Sequence, residues 1–282
     1  MIRKEFFIVF ITLLAILSAA FVQWKPIRMM MDWKAARDAG TAHGIDTEHY
    51  EIVDHADGDT PFITVDFLQG PHFWHPQVAI WLEDSAGNYL ETLLVTSSTA
   101  RGLFYAGRTP ENFKEYDENP AKGNYPTARV DALPYWSHKR GIQYADGFYS
   151  PDRNHPIVDG TSSATPKGNF YLKSSSKFSD LNWFRVLVEI NVAFDENEYY
   201  SEFDFLEDSL YHSGTGLLGQ PSVIYGKLIQ KSNDTNYYIL DLLGHGHHSG
   251  SDGMLYEDMS TVTTAAQITE RIVVGINPPV NH

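Results

Sequence analysis

Apolar and polar residues alternate with a period of two through much of this chain. Ile63, Val65 and Phe67 share one face of 63–70, and Val78, Ile80 and Leu82 share one face of the segment at 76–84. Successive side chains of an extended strand point to opposite faces, so this spacing predicts half-buried strands. A Ser-Ala-Gly-Asn turn at 85–88 and a return run at 89–95 complete a β-hairpin. Further strands are predicted at 169–174, 183–194, 222–230, 236–245 and 268–276. In the 183–194 strand Val186, Val188, Ile190 and Val192 keep strict alternation, which requires one buried face. The KSNDT stretch at 231–235 has hairpin-turn chemistry. Residues 41–60 read as a linker or an irregular first strand. Residues 96–150 show no long periodic run, and one short helical turn is predicted near 132–139. An excursion of that length is either functional or disordered.

The pattern differs at the start. Residues 6–22 are apolar and uncharged, with Arg3 and Lys4 ahead of them. At 1.5 Å per residue such a run spans ~25 Å as a helix, close to the ~30 Å hydrocarbon core of a bilayer. The early positive charges favour a cytoplasmic N-terminus, which sends the rest of the chain outward. The run is longer than the ~7–15 residues of a signal-peptide core, which favours one uncleaved transmembrane helix. Cleavage after Ala20, with Ser18 and Ala20 as its small residues, is the alternative, and it leaves a secreted protein. The expected organisation is a membrane anchor or signal segment at 1–24, a juxtamembrane helix and linker at 25–59, and a β domain at 60–282. Seven or eight strands with little helix make the fold class mainly β, an antiparallel sandwich with long loops; a barrel is the competing closure.

Composition narrows the function classes. The chain has no cysteine, so disulfides, thiolate metal ligands and an N-terminal lipid-bearing cysteine are excluded. Its net charge of −15 and its lack of a basic cluster argue against nucleic acid as a partner. The densest acidic stretch, 195–208, carries seven carboxylates and no cation, and reads as a solvated face. No GxSxG elbow, HExxH helix or phosphate-binding loop occurs in the sequence, so no catalytic motif is evident.

Three patches, PQVAIWLEDSAGNYLETL (76–93), VDGTSSATPKGNFYL (158–172) and RVLVEINVAF (185–194), carry a resemblance to a known family. The pattern resembles the periplasmic β-sandwich family of unknown function that is related to the flagellar hook-cap immunoglobulin-like fold. Its members occur beside PepSY-type membrane redox proteins and ApbE-type FMN transferases. The resemblance covers residues 60–195 and implies an immunoglobulin-like sandwich on the periplasmic side of the membrane. Within it, Asp159, Ser162, Ala164 and Thr165 are similar to the acceptor motif for covalent flavin transfer. That likeness implies Thr165 as the hydroxyl that displaces AMP from FAD and retains FMN through a phosphoester. Ser163 stands where the motif prefers glycine. The same residues also suit a plain polar turn leading into the strand at 169.

A second candidate is GHGHHSGSDG (244–253). His245, His247 and His248 fall within four residues, alternation places His245 and His247 on one face, and neutral imidazoles suit a transition metal. His72 and His75 could add ligands. The bland alternative is a loop whose histidines bond to backbone or face water. The expected function is therefore a membrane-anchored extracytoplasmic accessory or electron-carrier protein of a PepSY-type redox system, with FMN on Thr165. A non-catalytic binding or assembly module that works through loops at one end, and a His-liganded metal protein, are the alternatives.

Overall fold

The computed structural model describes residues 50–56, 63–73, 76–102, 104, 129–157, 162–178, 180–193, 195–212, 219–231 and 236–276. They fall within one compact unit, Tyr50–His282. Among them no helix is long and apolar enough to cross a membrane. The apolar run at 6–22 and the juxtamembrane segment lie outside the described residues.

The protein is mainly β, with two sheets and few helices. The first sheet holds β1 (Glu51–His55), β6 (Phe170–Ser174), β2 (Ile63–Gln69), β11 (Thr269–Ile276) and β9 (Asn236–Ile239), in that order. The second runs β10 (Asp241–His245), β8 (Val223–Gln230), β7 (Trp183–Asn191), β3 (Gln77–Asp84), β4 (Tyr89–Thr96) and β5 (Ser162–Ser163). Most neighbours are antiparallel, as expected. Two pairings near sheet edges depart from this: β1 runs parallel to β6, and β5 runs parallel to β4. Each joins strands far apart in sequence, where no short turn dictates direction.

The predicted hairpin is present. Asp84 closes it: its carboxylate accepts hydrogen bonds from the backbone N–H groups of Ala86 and Asn88 and from the Asn88 side chain. The Asn88 amide holds that carboxyl below its ordinary range. Alternation also placed the core correctly. One apolar cluster contains Val65, Phe67, Phe170, Leu172, Ile272 and Val274 from the first sheet and Ile80, Leu82, Val186, Val188, Ile190 and Val223 from the second.

Two expectations change. The predicted strand at 236–245 is two strands in different sheets, β9 against β11 and β10 against β8. Leu240, between them, is buried in the core, and its N–H donates to Ile272 O, so the chain crosses between the sheets at that residue. The turn at 231–235 therefore does not close a hairpin between β8 and β9; its residues 232–235 lie outside the described ones. Strand β7 buries both faces, because a second apolar layer covers the outside of its sheet. That layer packs Leu133, Tyr135 and Trp136 on Ala79, Trp81, Leu187 and Ile224. It comes from the long excursion, whose described parts include α1 (Ser97–Arg101) and α2 (Pro134–Lys139). The helical turn near 132–139 is thus present, with Pro134 in its first turn, where its missing N–H costs nothing.

Candidate functional site

The outer layer is held by a buried carboxylate. Glu189 is fully enclosed on β7 and accepts hydrogen bonds from the N–H groups of Tyr135 and Trp136 and from the Ser222 hydroxyl. Helix α2 is thereby fixed by its first-turn N–H groups, which have no partner within a helix. Burial raises the Glu189 carboxyl from its ordinary 4.5 to about 7, against the pull of those three donors. At the other end of α2, Lys139 donates to Gly87 O and lies 3.4 Å from Glu83 Oε1, which also accepts from the Trp81 indole.

Helix α2 in turn supports the histidine-rich loop. Gly253 lies so close to His138 that a Cβ would overlap the imidazole, and Gly250, at φ +74°, lies against the Val130 carbonyl. Side chains are excluded at both points, which explains the last two glycines of GHGHHSGSDG. The loop's other contact is the acidic stretch. The His248 ring stacks on Phe205 at 3.9 Å between centroids, and its Nε2 lies 3.2 Å from Asp208 Oδ2. The reading of 195–208 as a solvated face is therefore incomplete: one side of it packs on the histidines, and Asp195 is partly buried. Burial raises Asp195 to about 7, although Gln220 N–H donates to it and Arg129 attracts it.

The rings of the two loops form a continuous series. Tyr200 stacks on Phe205, Phe205 on His248, His248 lies 4.2 Å from His247, His247 lies 5.9 Å from Tyr256, and Tyr256 stacks on His245. His245 and His247 thus both lie near Tyr256, although β10 ends at His245 and strand alternation does not extend to His247. His247 and His248 come together, whereas His245 is buried and donates from Nδ1 to Gly246 O. His247 Nδ1 accepts from the Ser249 N–H. Burial, then the neighbouring His247, push His248 below its ordinary pKa despite the Asp208 carboxylate. Among the described residues no group of three or more His, Asp or Glu side chains could hold a metal ion. His72 lies in an exposed turn, and His75 lies outside the described residues.

Beside this ring series the surface is apolar. Phe203 is 76% exposed, Leu206 72% and Met254 63%, and Phe205 and Tyr256 are partly exposed. Large side chains left open in this way on two touching loops mark a binding surface more often than a solvated one. The sequence carried a signal for it: the carboxylates of 195–208 are interleaved with Tyr199, Tyr200, Phe203, Phe205 and Leu206.

The flavin-acceptor candidate lies elsewhere, at the edge of the second sheet. Ser162 forms half of β5, paired beside Val95, and is partly buried; Ala164 is exposed, Thr165 is partly buried and Pro166 is buried. Asp159 lies outside the described residues. The adjoining edge is fixed by Gln77 Oε1, which accepts from the hydroxyls of Thr96 and Thr99. No family model, no characterised protein and no solved structure matches this chain.

Proposed function

We propose that this chain is an extracytoplasmic accessory module, an immunoglobulin-like sandwich held at the membrane by residues 6–22, whose work is binding or assembly. The observation that carries this reading is the ring series joining 199–211 to 245–256, flanked by exposed Phe203, Leu206 and Met254. It is a partly apolar surface whose rings pack on one another. A photo-crosslinking amino acid at Phe203 of the full chain, activated in the native membrane, tests it. The expected result is one discrete adduct that weakens when Phe205 is changed to alanine. Absence of any adduct counts against the reading.

A second reading has its own support. Ala164 is exposed and Thr165 is partly so, just beyond an edge strand, with Pro166 buried as an anchor. This arrangement suits Thr165 as an acceptor of FMN from an ApbE-type transferase, with the protein passing electrons in a PepSY-type redox system. The cofactor would supply the chemistry, and the protein its position. Full-length chain co-produced with such a transferase is expected to show protein-bound fluorescence on a denaturing gel and the mass of one FMN, both lost in Thr165→Val. Unmodified mass in the presence of an active transferase excludes it.

A further inference from the structure

The ring-lined surface has a one-sided charge. No lysine or arginine occurs between Arg185 and Lys227, or between Lys231 and Arg271, and both loops fall inside these intervals. Around the rings, Glu202, Glu207, Glu257 and Asp258 are exposed, and Asp204, Asp208 and Asp252 are partly buried. The partly buried three are already engaged. Asp208 lies against His248, Asp252 accepts from the Tyr256 hydroxyl and Met254 N–H, and Asp204 accepts from the Ser201 hydroxyl and N–H. Of the exposed four, Asp258 accepts from the Ser260 N–H, while Glu202, Glu207 and Glu257 are exposed on the same turns that present Phe203, Leu206, Met254 and Tyr256.

We infer that this surface takes a cationic, apolar segment of a partner polypeptide, a deduction that rests on the binding reading above. Lysine or arginine side chains of the partner lie over the exposed rings of Phe203 and Tyr256 beside the exposed carboxylates, and its apolar side chains cover Leu206 and Met254. The charge selects the occupant. A neutral apolar segment would strip water from Glu202, Glu207 and Glu257 without supplying a counter-charge, and an anionic one would be repelled. A cation over an aromatic face next to carboxylates gains from both. His248 does not compete for this role, because it is held against Asp208 and burial depresses it.

Full-length chain in detergent, titrated with three labelled peptides of identical leucine and tryptophan content carrying lysine, glutamine or glutamate, tests this. The lysine peptide is expected to bind, and to lose about tenfold in affinity as salt rises from about 50 to about 500 mM. A variant combining Glu202→Gln, Glu207→Gln and Glu257→Gln changes only exposed side chains, and is expected to keep the melting temperature while losing about tenfold in affinity for that peptide. Equal binding of the glutamine or glutamate peptide would overturn the cationic assignment and leave the binding reading standing. Undiminished binding by the triple variant would overturn the location. Failure of all three peptides would overturn the inference, and crosslinking from Phe203 would then decide the binding reading separately.

Discussion

Trp136→Ala is expected to lower stability by roughly 3–5 kcal/mol, the range for deleting a large buried aromatic side chain. Trp136 is fully buried between helix α2 and the outer face of the second sheet. Its indole N–H donates to the Thr92 hydroxyl at 3.0 Å, and the Arg140 guanidinium lies over its ring. Truncation opens a cavity in the outer layer and leaves Thr92 without that donor. Because α2 also carries His138, on which Gly253 packs, the histidine loop should loosen with it. Denaturant unfolding followed by circular dichroism gives the loss, and hydrogen exchange at 246–256 gives the loosening. A loss under about 1 kcal/mol would mean that the outer layer is not packed as described.

The second large effect is on pH. Glu189 moves from 4.5 to about 7 and Asp195 from 3.8 to about 7 on folding, both chiefly through burial. A folded-state pKa raised above the unfolded one means that the folded chain holds the proton more tightly. The stabilisation is therefore complete below about pH 4 and is lost as pH rises through about 7. For Glu189 the difference corresponds to about 3 kcal/mol, at 1.36 kcal/mol per unit. Asp195 contributes with the same sign. Asp208 and Asp252 have the opposite sign: burial raises each, but their hydrogen bonds outweigh it, so their contribution fades only at acid pH. His248, depressed by burial, also has the opposite sign and adds stability as pH rises through its range, but the shifts of Glu189 and Asp195 are the large ones. Net stability is therefore expected to fall between pH 5 and pH 8, and Glu189→Gln, which cannot ionise, should flatten the profile. A profile that rises over that interval, or one unchanged in Glu189→Gln, would contradict the placement of this carboxylate.

Legibility in the sequence followed the range of the interaction. The hairpin at 77–96 could be read because Asp84, Gly87 and Asn88 define its turn locally, and β2, β7 and β11 could be read because alternation marks the buried face. Alternation does not say which sheet a strand joins, so Leu240 gave no warning that 236–245 divides between two. It also left β7 with one expected buried face; Leu187 and Glu189 on the other are covered only because 129–157 folds back over them. A charged residue in an apolar run was the available clue. Glu189 interrupts VLVEINV on the face opposite Val186 and Val188, where an uncovered sheet would also accept it. The histidine motif and the acidic stretch were each visible, but their meeting through Phe205 and Asp208 depends on tertiary packing over more than 35 residues of chain.

Crosslinking yield at Phe203, set against that at Tyr237 in the same full-length chain and the same membrane, is the most direct test of the central claim. Both positions are exposed aromatics, 76% and 60%, but Tyr237 lies on the edge strand of the first sheet, away from the ring series. The account predicts a discrete adduct from Phe203 and none from Tyr237. Equal yields from the two, or an adduct from Tyr237 alone, would contradict it.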